Sequence, residues 1–346
     1  MSDSSSGTFD YLKWQEGMDP KTLVGKVISK RYEIVRHLGG GGFGEVYIAV
    51  NIGFREQKVV IKFLKNSVSE KKFAQEASIL CKLNHPNICN IIDFLSNERA
   101  LVMQFIDGCD CSALLDEPNL LSDKETTIPL KNIKKTHQNK IKPKLSDELI
   151  LKIVRAVASA ITYAHSKEVA HRDIKPSNIM IDKDNNVYLI DFGIAKELGR
   201  LTITQTGYQA LTPSYAAPER LIVGKRYNPY LSDIYELGTT FMKLVGLMTP
   251  FEQAMSRKRI PSKTIKDSNL SSEIKKVLLT ATHQDPLKRY ESVDLMAKDI
   301  NKVTQLNKKS NKLLFVSSIL ILFIVTIVIF FNLKTEFSKI SRQVVD

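Results

Sequence analysis

Two acidic residues and an amide stand in short loops of this chain where they suit proton transfer and hard-cation binding. Asp173 and Asn178 lie in His171-Arg172-Asp173-Ile174-Lys175-Pro176-Ser177-Asn178, and Asp191 opens Asp191-Phe192-Gly193 after an Asp-Asn-Asn turn and a strand. A carboxylate can act as a base, and carboxylate and amide oxygens are the ligands Mg2+ accepts beside phosphate oxygens. Upstream, Gly39-Gly40-Gly41-Gly42-Phe43-Gly44-Glu45-Val46 fits G-x-G-x-x-G-x-V, a glycine pattern that lets a backbone approach phosphates closely. Lys62 follows in Val59-Val60-Ile61-Lys62, and period 2 puts Val60 and Lys62 on one face, an apolar wall beside an ammonium. Taken singly, each residue also suits an ordinary turn or edge strand, and a glycine-rich hairpin alone is a weak sign of phosphate binding.

The elements that must position these groups follow from periodicity. Tyr32, Ile34 and Leu38, then Val46, Ile48 and Val50, then Val59, Ile61 and Phe63 form three period-2 runs and predict an antiparallel meander. Ser67-x-x-Glu70 has capping-box spacing and Phe73, Ala77 and Leu80 recur at helical intervals, so a helix carrying Glu76 follows the third strand and ends at Asn84-His85-Pro86. Two more strand-like runs end at Ala100 to Phe105. A polar, Lys-rich stretch over 116–145 has no period and predicts an exposed insertion. Ile150, Ile153, Val154, Val157, Ile161 and Ala164 mark an amphipathic helix, and the chain from there to about 306 reads as mostly helical with short strands near 169–190.

Charge narrows the function classes. Fifty Lys and Arg against 37 Asp and Glu give +13, but 126–145 and 302–342 contribute +6 each, leaving 37 basic against 36 acidic residues elsewhere. A nucleic-acid-binding reading loses its support. The four Cys (81, 89, 109 and 111) have no zinc spacing and fit free thiols in a reducing compartment. The N-terminal MSDSSSGTFD has no apolar stretch, so no secretory signal is expected there. Residues 313–331 (LLFVSSILILFIVTIVIFF) run nineteen long without a charge, long enough for a transmembrane helix, with basic 307–312 before it and a tail of 332–346 after it. The tail is too short for a folded sensor.

Together these motifs, in this order and context over 31–306, resemble the eukaryotic-type protein kinases, and Lys175 two residues after Asp173 resembles the serine/threonine class. The resemblance implies an α+β, two-lobed fold: a small antiparallel β lobe with one helix and a larger helical lobe. It implies ATP and Mg2+ as cofactors and protein Ser/Thr hydroxyls as acceptors. Leu38, Gly39, Gly40, Gly41, Gly42, Phe43, Gly44, Glu45 and Val46 would cover the phosphates. Lys62 would hold them and pair with Glu76. Asp173 would deprotonate the acceptor, Lys175 would stand near the γ-phosphate, and Asn178 and Asp191 would hold magnesium. Around adenine and ribose the resemblance places Val60, the gatekeeper Met103, the hinge residues Gln104 and Phe105, Asp110 and Met180. It makes Glu219–Arg289 a structural ion pair and Asp233 a brace for the catalytic loop.

The resemblance also carries departures. Val60 stands where Ala is usual, Gly40 and Gly42 are extra glycines, and Leu211-Thr212-Pro213 replaces Gly-Thr-Pro. Arg172 implies docking of a phosphorylated activation loop, with Thr202, Thr204 and Thr206 as candidate autophosphorylation sites, and self-association would serve that step. Ser177 gives no reason to expect Arg-directed substrates. The layout resembles bacterial membrane-anchored serine/threonine kinases, with residues 1–30 a flexible lead-in, the kinase domain cytoplasmic and a single pass through a lipid bilayer at 313–331. The rival reading is a membrane-tethered pseudokinase scaffold; it requires a missing Lys, Asp or Asn, and none is missing.

Overall fold

The computed structural model describes residues 19–41, 44–54, 57–64, 77–117, 145–192, 213–222, 226–255, 261–303 and Thr326. The chain divides into two compact units, 1–297 and 298–346. In the second unit 298–303 are helical and Lys302 Nζ lies 2.9 Å from Asp299 Oδ1.

Six strands form one antiparallel sheet: β1 Val27–Ile28, β2 Tyr32–Gly41, β3 Gly44–Asn51, β4 Lys58–Leu64, β5 Ile91–Leu95 and β6 Ala100–Gln104, in the order β1-β2-β3-β4-β6-β5. Val59, Ile61 and Phe63 of β4 are buried together, which turns Val60 and Lys62 to the opposite face, as period 2 requires. On β3 the core set is Tyr47 and Ala49, so Val46 and Val50 stand on the other face; the run Val46-Ile48-Val50 marks the side away from the core, with only Ile48 buried. Tyr47 and Phe63 meet edge to face at 5.6 Å within a core of Leu23, Ile28, Tyr32, Ile34 and Val102. Each such side chain contributes roughly 1.5–3 kcal/mol.

The expectation of a flexible lead-in to residue 30 is corrected from residue 19 onward. Asp19 caps a 3-10 turn over Pro20–Leu23, Tyr47 Oη donates to Pro20 O at 2.9 Å, and β1 pairs with β2. Leu23 and Ile28 are the reason, since both are sealed in the sheet's core. At the other edge, Asp93 of β5 accepts hydrogen bonds from Tyr32 Oη (3.1 Å) and Arg31 Nη1 (3.2 Å), tying the sheet's two ends together.

Residues 77–80 are helical with Ala77 and Leu80 buried; Glu76, the rest of that helix, and most of the Lys-rich insertion (118–144) lie outside the described residues. A second sheet of β7 Gly108–Asp110, β8 Ile179–Asp182 and β9 Val187–Leu189 follows, with no strand over 169–178. Besides the helical residues 77–80, the helices of the first unit among the described residues are α1 Cys111–Asp116, α2 Asp147–Ser166, α3 Pro229–Leu244, α4 Pro250–Met255, α5 Pro261–Lys266, α6 Ser272–Ala281 and α7, which starts at residue 293. Helix α2 starts where Ser146 Oγ accepts from Leu149 N at 3.2 Å, with Asp147 and Glu148 in its first turn, and it buries the apolar set read from sequence. Gly238 lets α3 and α6 close, because a Cβ there would stand 2.8 Å from Ala281 Cβ. Among the described residues no helix is long and apolar enough to cross a membrane; 313–331 lies outside them except for Thr326.

Candidate active site

Asp173 sits in a loop without secondary structure, so the backbone of 171–174 must find its partners among side chains. Helix α3 supplies most of them. Asp233 Oδ2 accepts from His171 N (2.8 Å) and Asp233 Oδ1 from Arg172 N (2.7 Å), Glu236 Oε2 accepts from Ile174 N (2.9 Å), and Thr240 Oγ1 donates to Ile174 O (3.2 Å). Arg220 Nη1 donates to Arg172 O at 2.7 Å and also to Glu236 Oε1. Asp233 thus braces the loop as expected. Glu236, Arg220, Thr240 and His165, which reaches Asp233 at 2.8 Å, were not legible in the motifs. The available signal was two acids three residues apart, Asp233 and Glu236, on a helix with apolar residues at Ile234, Leu237 and Phe241; both acids are buried.

These buried charges titrate in opposite senses. Burial alone would raise the Asp233 carboxyl, but the hydrogen bond and charge of His165, with His171 and the Arg172 amide, outweigh it and hold the group below its ordinary range. Burial pushes Glu236 up to about 7; Arg220 pulls it back, while Asp233 and Asp173 add to the rise.

His171 connects this loop to the next. Its Nδ1 accepts from Asp173 N at 3.2 Å, so Nε2 carries the proton and donates to Ile190 O at 3.0 Å. Burial lowers its pKa and keeps it neutral, which this single tautomer needs. Ile190 N donates in turn to Asn178 O at 2.9 Å. Ile190 is therefore held on both sides, and Asp191 follows it directly. Arg172 (φ 65°) and Asp191 (φ 57°) occupy the left-handed region, which costs of order 1–3 kcal/mol each and persists because the network over-determines it.

The chemistry-bearing groups converge here. Lys175 Nζ lies 3.0 Å from Asp173 Oδ2, and Asn178 Nδ2 donates to Asp173 O (2.8 Å) and Oδ2 (3.1 Å). With its amide nitrogen turned to Asp173, Asn178 keeps its oxygen as the end able to meet a cation. From the β lobe, Lys62 Nζ reaches Asp191 Oδ1 at 2.8 Å. Lys62 therefore pairs with Asp191, and the expected partner Glu76 lies outside the described residues. Among the described residues no cluster of three or more His, Cys, Asp or Glu is ready for a metal. One carboxylate and one amide oxygen instead suit an ion that keeps waters and phosphate oxygens in its shell, as Mg2+ does.

The glycine strand-turn-strand joins the site through β4, where Val46 stands opposite Lys62. Gly39 pairs with Val46, Gly40 with Glu45 and Gly41 with Gly44, while Gly42 and Phe43 lie outside the described residues. Glu45 Oε2 is 2.7 Å from His37 Nε2. Leu38 precedes the glycines on β2, and Val60 pairs with both Ile48 and Met103. At the hinge Gln104 N donates to Asn90 O (2.9 Å), and Gln104 O accepts from Cys89 Sγ at 3.6 Å. Lys58 Nζ lies over the Phe105 ring at 5.6 Å. Asp110 does a job sequence did not assign it: its Oδ1 caps α1, accepting from Ser112 N (2.8 Å) and Ala113 N (3.0 Å). Met180 faces it across the β7–β8 pairing. Thr202, Thr204, Thr206 and Thr212 lie outside the described residues.

Beyond the site, Arg289 Nη1 and Nη2 grip Glu219 Oε1 (2.8 Å) and Oε2 (2.7 Å), and Ser232 Oγ donates to Oε1 at 2.9 Å. Burial would raise the Glu219 carboxyl, but Arg289 holds it below its usual range.

Comparison with known proteins agrees with this geometry. The protein kinase domain family matches residues 32–301. The serine/threonine-protein kinase PrkC of Bacillus subtilis is 31% identical over 305 residues, covering 84% of this chain and 43% of its own length. The probable serine/threonine-protein kinase PknB of Lactococcus lactis is 29% identical over 309 residues, with coverage of 84% and 45%. The chain spans under half the length of these curated relatives. The crystal structure of the Mycobacterium tuberculosis PknI kinase domain superposes with a TM-score of 0.59 at 25% identity, covering 81% of this chain and 98% of that one. A match over most of the chain, on a fold that brings Lys62 to Asp191 and Asn178 to Asp173, means that the chain belongs to the protein kinase family.

Proposed function

We propose that the chain transfers the γ-phosphoryl group of ATP, with Mg2+, to Ser and Thr hydroxyls of proteins while anchored in a membrane by residues 313–331. The observation that carries the reading is the Asp173 carboxylate held between Lys175 and Asn178, with Lys62 and Asp191 paired alongside. Asp173 orients the acceptor hydroxyl and takes its proton. Lys175 offsets the charge at that carboxylate and meets the transferring group. Lys62 steadies the remaining phosphates, and backbone amides of the glycine-rich 39–46 segment approach them closely. Asn178 and Asp191 would hold magnesium, which would neutralise phosphate charge when bound. The protein's share is positioning, because a loose phosphoryl transition state needs little covalent help.

The test uses the full chain in detergent with ATP and Mg2+, reading phosphorylated residues by mass spectrometry. Asp173→Asn is expected to lower transfer by roughly 10²–10⁴-fold and leave ATP binding intact. Lys62→Met is expected to lower both. Equal transfer by wild type and Asp173→Asn would sink the reading.

Two finer parts rest on sequence. The uncharged run 313–331 supports the anchor, and removal of it is expected to shift the protein from lipid vesicles to the supernatant. The Thr-rich 202–206 segment, with Arg172 beside Asp173, supports autophosphorylation, and the change of Thr202, Thr204 and Thr206 together to Ala is expected to lower activity. Unchanged partitioning or undiminished activity refutes the respective part.

A further inference from the structure

Asp173 is aimed by the two peptide planes on either side of it. The first contains Arg172 O and Asp173 N, the second Asp173 O and Ile174 N. Each plane is held at both edges: Arg220 donates to Arg172 O while His171 Nδ1 accepts from Asp173 N, and Asn178 donates to Asp173 O while Glu236 accepts from Ile174 N. Asp233 reaches neither plane from these edges; its bonds go to the amides of 171 and 172 and to His165. One nitrogen, Arg220 Nη1, joins Arg172 O to Glu236, and both side chains are nearly sealed from solvent, at 5% and 2% exposure. Arg220 belongs to the Pro218–Leu221 turn that follows Ala217, whereas Glu236 stands on α3.

We propose that Arg220 and Glu236 are positioning residues for Asp173: they clamp the peptide planes before and after it and make its orientation depend on how the 217–221 turn is seated. This deepens the kinase reading and rests on it. An ion pair serving stability alone would need only to join the turn to α3. This one also terminates on the two backbone groups that set the φ and ψ of Asp173. The group that orders the 217–221 segment, whether the chain's own or a docked acceptor protein, would thereby adjust the base.

Removal of one partner strands a buried charge and threatens folding, so the decisive variant removes both. Replacement of a buried pair by apolar residues of similar volume is commonly tolerated. In full-length Arg220→Met/Glu236→Leu we expect a melting temperature close to wild type. Hydrogen exchange read by mass spectrometry should be at least about tenfold faster over 171–178 and unchanged over the β4–β6 strands. We expect kcat to fall by about 100-fold, as a small misplacement of a reacting group does, with the KM for ATP held within about twofold. In Arg220→Met/Glu236→Gln the Gln oxygen still accepts from Ile174 N, with no buried guanidinium opposing its amide nitrogen, and exchange at that backbone amide should stay slow. Wild-type exchange over 171–178 in the Met/Leu variant, or fast exchange at Ile174 in the Met/Gln variant, overturns the clamp. If wild type itself transfers no phosphate, the kinase reading fails, and the exchange comparison still decides the clamp.

Discussion

His171 shows how much a single side chain carries. Its neutral ring is donor to Ile190 O and acceptor from Asp173 N at once, which couples the loop bearing the base to the loop bearing Asp191. A protonated ring could not accept, so burial of the neutral form is part of the arrangement. Burial lowers its folded pKa below 6.5, so the unfolded chain takes up the proton first and stability is lost as pH falls below 6.5. Thermal midpoints are expected to decline as pH falls below 6.5, less steeply in His171→Asn. An equal slope in both would show that another group governs that window. The spacing of His171, Asp173, Asn178 and Asp191 was readable from sequence, but their partners were not: Glu236 and Thr240 lie more than sixty residues away, on a helix whose sequence does not say which loop its polar residues meet.

Among the elements, the β2–β3 turn shows where glycine is required and where it is merely permitted. A Cβ on Gly44 (φ 153°) would stand 1.9 Å from Phe63 O of β4, whereas Gly39 (φ 144°) has open space. Gly44→Ala is expected to destabilise by about 2 kcal/mol and Gly39→Ala by about 1 kcal/mol, measured by urea unfolding. A larger loss at Gly39 would contradict this packing. The three strands read from alternation do form a meander, yet alternation alone could not say which face of β3 meets the core. Tyr47 and Ala49 settle it, because only a partner surface such as Phe63 distinguishes two half-apolar faces. The packed lead-in from residue 19 escaped sequence for the same reason: Leu23 and Ile28 are too few to show a period.

At the scale of the whole molecule, the large lobe is fastened by a second buried pair, which ties the Pro218–Leu221 turn to Arg289. Arg289 and Glu219 are 0% and 4% exposed at their side chains and share two parallel hydrogen bonds. Removal of one partner by Arg289→Met is expected to cost about 3–5 kcal/mol, and removal of both by Arg289→Met/Glu219→Leu much less. Denaturant midpoints test this, and an additive double variant would refute it. Because Arg289 holds Glu219 below its ordinary 4.5, the pair's contribution is present above pH 4.5 and lost as pH falls through the lower folded value. Acid unfolding of wild type is therefore expected to steepen below pH 4.5, and to flatten there in the double variant.

Sequence alone determined the family resemblance, the order of the catalytic motifs, the long amphipathic helix and the uncharged run at 313–331, because each is a local pattern of residue type and spacing. Tertiary structure alone decided that Lys62 meets Asp191, that Asp110 caps a helix, and that Arg220 and Glu236 close on the planes around Asp173. Those are contacts between residues far apart in the chain, and a buried polar group chooses its partner by what folding brings within hydrogen-bond reach, which no local period encodes.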